Sequence, residues 1–132
     1  MRYKPVLVIA AICLFALTVL SLKSKVVVYT YVDGNNNVYT ITPENINYEP
    51  VSKAESSSGE YDGGEPKTAK ISTEQFAKIE GIISAILADK SSHEKNREMG
   101  FGTVVIGKEA VYINRNSSLK TELENELKLC LQ

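Results

Sequence analysis

The stretch Lys25-Val-Val-Val-Tyr-Thr-Tyr-Val-Asp33-Gly-Asn-Asn-Asn37-Val-Tyr-Thr-Ile-Thr42 decides the fold class. β-Branched and aromatic residues fill both flanks, and such side chains suit a pleated, half-buried surface better than a helix. The Asp, Gly and Asn residues between them tolerate positive φ. Residues 25–33 and 38–42 are therefore expected to pair as an antiparallel hairpin. Pro43 cannot donate to a sheet ladder and closes the second strand, and a weaker extended stretch follows over 46–51. Tyr29, Tyr31 and Tyr39 are read as core rings, since Tyr29 and Tyr31 stand two apart and share a face.

Downstream of the hairpin, apolar residues nearly vanish from Ser52 to Lys70. This composition cannot bury enough surface to hold regular structure, so 52–70 is expected to be a flexible polar loop with Tyr61 as its large side chain. A helix then starts on a complete set of local signals. Ser72 is the N-cap, Gln75 closes a capping box, and Ile71 is placed to staple against Phe76. Phe76, Ile79, Ile82, Ile83, Ile86 and Leu87 recur at three- and four-residue spacing and mark a core-facing stripe. Gly81 interrupts that helix and reads as a point of close contact with another element. After a second polar connection over 91–102, two short apolar runs flank Gly107-Lys108 and read as another hairpin. A closing helix from about Ser118 places Leu119, Leu123, Leu127, Cys130 and Leu131 on one face, with Lys128 one turn after Glu124 and able to pair with it.

The element order is thus β-β-(β)-α-β-β-α. It describes an α+β domain, a small antiparallel sheet of two hairpins with two helices packed on one face, preceded by an N-terminal hydrophobic helix. Of 132 residues, setting aside 1–24 leaves about 108, which is one domain's worth (25–132).

The leader gives the address. Arg2 and Lys4 precede an apolar run from Val6 to Leu22, the charge pattern of a signal peptide or a single-pass anchor. Val19-Leu20-Ser21 is a usable cleavage site without the Ala-x-Ala form, and the run is short for a span, so both forms stay open. Cys13 follows Ile12 and lacks the small preceding residue and upstream Leu of a lipid-modified cysteine. The domain is expected to be extracytoplasmic, secreted or periplasmic, or held at the membrane through residues 6–22. Outside the leader Cys130 is the one cysteine, which leaves no intramolecular disulfide and no Cys₂ or Cys₄ metal site. It is read as a buried thiol. The formal net charge is −1; taking Arg2 and Lys4 from the 15 basic residues leaves 13 against 16 acidic, a net −3. Such a chain carries no electrostatic footprint for nucleic acid.

No constellation of residues points to one reaction. Asp33, Asn35, Asn37 and Glu44 match the ligand spacing of a calcium loop, but Val38 stands where that loop needs glycine, and a hairpin turn explains the same residues. His93 near the first helix's end, with Asp89 four residues before it, is half of a general-base pair without a nucleophile, and a cap for the helix dipole explains it more simply. Asn116-Ser117-Ser118 is a glycosylation sequon, meaningful only in a eukaryotic secretory setting. No catalytic set, metal site or cofactor is assigned. The expected binding residues are Glu60, Tyr61 and Asp62 in the polar loop, and Arg97 and Phe101 beside the Gly100–Gly102 bend, because arginine and aromatics favour interfaces. The reading is a non-catalytic binding module for a protein or cell-envelope component. The alternatives are a small enzyme using His93 with Asp89, and a small inhibitor or immunity-type protein whose acidic loop enters a target.

Overall fold

The computed structural model describes residues 25–132. The leader, and with it the expected hydrophobic helix, lies outside the described residues. Among those described, no helix is long and apolar enough to cross a membrane.

Seven antiparallel strands form one sheet in the order β4-β3-β2-β1-β6-β7-β5. They are β1 (Tyr29–Val32), β2 (Val38–Ile41), β3 (Asn45–Glu49), β4 (Lys67–Lys70), β5 (His93–Glu94), β6 (Gly102–Ile106) and β7 (Glu109–Ile113). The helices among the described residues are α1 (Thr73–Ala88) and α2 (Ser118–Cys130), with a 3₁₀ turn over Lys90–Ser92. The α+β class and the helices' placement on one sheet face agree with the sequence, but the sheet is larger than two hairpins. β4 arises within the stretch read as loop, so the irregular segment ends at Pro66. Lys-Thr-Ala-Lys has no apolar alternation to announce a strand; it is recruited by the free edge of β3, with Asn47 opposite Thr68 and Ile46 opposite Ala69. β1 starts at Tyr29 and not at Lys25. Tyr29 faces Ile41 and Ile106, the last residues of its two neighbours before they turn, so nothing remains for residues 25–28 to pair with. Val26, Val27 and Val28 stand exposed.

β4 and β5 lie at opposite edges, and the chain must cross the sheet between them. Six strand spacings of about 4.8 Å make roughly 29 Å, and the 16 residues of α1 supply about 24 Å of that path. In crossing, α1 lays Ile79, Ile82, Ile83 and Ile86 on the core. Tyr31, Tyr39, Ile41, Ile46, Val104 and Ile113 meet them from one sheet face, and Leu123, Leu127 and Cys130 from α2. Lys78 Nζ joins Glu126 at 2.6 Å across the two helices. The Ser72–Gln75 capping box is formed in both directions. Gly81 departs from expectation: it is exposed, with open space where a Cβ would stand. Among the described residues, no helix covers the opposite sheet face, which bears Thr30, Thr40, Asn47, Val105 and Tyr112.

Candidate functional site

The site is built on the turn that joins β1 to β2. Asp33 N–H donates to the Asn37 carbonyl at 3.0 Å and Asn36 N–H to the Asp33 carbonyl at 3.1 Å, with Asn36 at φ 71°. This is a tight turn closed by a left-handed residue, a conformation asparagine tolerates. The Asp33 carboxylate serves the turn itself, accepting from Asn35 N and Asn37 N through Oδ1 and from Asn37 Nδ2 through Oδ2. Glu44 sits at the other end of β2, so the calcium-loop spacing does not bring its acids together.

Asn37, 3% exposed, reaches out of the turn. Its Oδ1 accepts from Val51 N at 3.0 Å and its Nδ2 donates to Tyr61 Oη at 2.8 Å. Tyr48 Oη in turn donates to the Gly63 carbonyl, and Gly63 N–H to the Val51 carbonyl. These bonds fold the 50–66 segment back beside the turn. On the other side stands a second turn, Glu98–Phe101, closed by Phe101 N–H to the Glu98 carbonyl with Gly100 at φ 84°. Glycine at that position marks a type II turn and leaves Met99 at the corner, 84% exposed. The two turns touch backbone to backbone. A Cβ on Gly34 would lie 2.8 Å from Gly100 Cα.

Between the three segments lies an open groove of ≈ 770 Å³. Tyr61, Arg97, Met99, Asn36, Glu55 and the hydroxyls of Ser56–Ser58 stand around it. Arg97 Nη2 donates to Asn36 Oδ1, fastening the arginine to the turn. A smaller cleft of ≈ 280 Å³ flanks the same turn on its α2 side, lined by Tyr39, Lys120, Glu124 and Lys128. Lys120 is buried, its Nζ 2.9 Å from Glu124 Oε1, and Tyr31 Oη donates to that same oxygen at 2.7 Å. Glu124 is thus engaged by Lys120, one turn before it, and not by Lys128 as its spacing suggested; among the described residues Lys128 forms no ion pair.

Of the residues expected from sequence, Tyr61 and Arg97 come together on this groove. Glu60 and Asp62 are exposed outside its lining, Asp62 accepting from Gly64 N–H. Phe101 is a correction. Its ring is 5% exposed, with the Arg115 guanidinium 5.6 Å from its centroid, so it is packed away where an exposed contact was expected. The sequence marked Asn35 and Asn36 as turn residues and not as part of a groove, and it did not mark Met99, for which an apolar Met-Gly corner inside a charged run was the available signal. His93 Nε2 donates to the Ile86 carbonyl at 2.7 Å, satisfying an end carbonyl of α1. The Asp89 carboxylate accepts from Ser91 Oγ, which holds it below the usual carboxylate range. Cys130 is buried, and burial pushes its thiol up.

No protein-family model, curated protein or solved structure matches the chain. The groove's chemistry must be read from its own residues. It offers amide, hydroxyl, guanidinium and carboxylate groups around a soft apolar corner, a mixture suited to holding a partner by hydrogen bonds and one apolar contact.

Proposed function

We propose that the chain is an exported or membrane-anchored, non-catalytic binding module, and that the groove beside the Asp33–Asn37 turn receives another protein or a component of the cell envelope. The address comes from Arg2, Lys4 and the Val6–Leu22 run. The observation that carries the binding reading is the convergence of Tyr61 and Arg97, distant in sequence, on one open groove next to an exposed methionine. Arginine and tyrosine are over-represented among residues that dominate interface energies. Further support comes from His93 and Cys130: the ring closes a helix and the thiol is buried in the core, so both reactive side chains serve packing.

The test places a photo-crosslinking residue at Ser57, or at Lys108 on the opposite end of the sheet, in the full chain expressed in its source cells. A discrete adduct from position 57, absent from position 108 and abolished by Arg97→Glu, is expected. Equal labelling from both positions overturns the groove as the binding surface.

A further inference from the structure

The groove and the smaller α2-side cleft share three lining residues, Gly34, Asn35 and Met99. They are therefore two parts of one surface that passes over the β1–β2 turn, with the Met99 side chain standing at the passage between them. The ends differ in charge. The groove's unshared lining carries Glu49, Glu55 and Glu98 against Arg97, and the Glu49 and Glu55 carboxylates accept from the neutral donors Asn47 Nδ2 and Ser52. Within the cleft's unshared lining, Asp33 is satisfied by its own turn and Glu124 by Tyr31 and Lys120, which leaves Lys128 as an exposed cation.

We infer that this continuous surface docks an extended peptide segment of another protein, with a cationic side chain toward Glu49 and Glu55, an apolar side chain on Met99, and a carboxylate toward Lys128. The inference rests on the binding reading above and gives that site a ligand class. Opposite charges at the two ends suit a polypeptide, which can alternate basic, apolar and acidic side chains. A glycan would call for an exposed aromatic platform, whereas the Tyr61 hydroxyl is tied to Asn37 and its ring is half-buried. Methionine at the centre fits an adaptable apolar contact, and charges at the rims give orientation more than affinity.

The experiment selects a phage-displayed library of random short peptides on the full chain in detergent micelles. Selected peptides are expected to carry basic and acidic residues on either side of an apolar one. Their affinity is expected to fall about tenfold with Met99→Ser and with Lys128→Glu, two exposed positions whose variants should keep the parent's circular dichroism. Replacing the peptide's acidic residue with lysine should restore binding to the Lys128→Glu chain and weaken binding to the parent. Peptides that respond to Arg97→Glu but to neither Met99→Ser nor Lys128→Glu overturn the continuous surface while leaving the groove intact. Peptides that respond to none of the three, or selective retention of an envelope glycan in place of any peptide, overturn the inference, and the first of these overturns the groove as well.

Discussion

Two segments hang on Asn37. Its amide holds the turn through Asp33, the start of the 50–66 segment through Val51, and the middle of that segment through Tyr61. Because the residue is buried, truncation to alanine strands several polar groups at once. Asn37→Ala is expected to cost about 3 kcal/mol, read by urea unfolding. Hydrogen exchange at the Val51 and Gly63 amides should accelerate before that of the core strands; unchanged protection there would mean that the segment is held by other contacts. Asp33, Asn35 and Asn37 were legible in sequence as a turn, since that depends on local backbone preference. The bonds from Asn37 to Val51 and Tyr61 were not, because they depend on where a distant segment is laid down. Phe101 misled for the same reason. Local chemistry pointed to an exposed position, whereas the folded chain buries the ring and brings Arg115 over it.

Among the elements, α1 was the most legible, because capping and apolar period act within a few residues. The same helix carries a removable defect. Gly81 has neither a positive φ nor a close neighbour, so Gly81→Ala should stabilise the fold by about 1 kcal/mol, measured as a raised urea midpoint at unchanged slope. Gly34 is the opposite case. A Cβ there meets the backbone of the Glu98–Phe101 turn at 2.8–3.0 Å, and backbone cannot swing aside as a flexible side chain does. Gly34→Ala is expected to cost about 1–3 kcal/mol and to move the two turns apart, seen as shifts at the Met99 and Arg97 amides. Strand β4 was illegible because its four residues have no pattern of their own and form a strand only against β3. Its lysines at both ends also suit an exposed edge, where charge discourages pairing with other chains.

For the whole molecule, the core's polarity predicts its response to alkali. Tyr29, Tyr31, Tyr39 and Tyr48 lie on the core face, with ring centroids of neighbouring pairs 6.1 Å (Tyr31–Tyr39) and 4.9 Å (Tyr39–Tyr48) apart. Burial raises all four phenols, Tyr29 to about 12, where Glu80 adds to the shift, and Tyr31 and Tyr39 further. In the unfolded chain they release protons from about pH 10. Folding therefore binds protons above that point: stability is complete below about pH 10 and falls as pH climbs through about 12. Urea midpoints measured from about pH 8 to 12 should be flat at first and then drop. Tyr31→Phe should make the drop shallower, and an equal slope in that variant would show that its phenol is not held neutral by the fold.

The direction of β1 has a consequence for orientation. Polypeptide arriving from residues 1–24 enters the sheet at Tyr29 through the three exposed valines, and the strand delivers it to the Asp33–Asn37 turn at its other end. Four residues of strand amount to about 13 Å. The chain thus enters the described sheet at the end of β1 opposite the groove. Whatever precedes Tyr29 therefore stands at the far end of β1 from Met99.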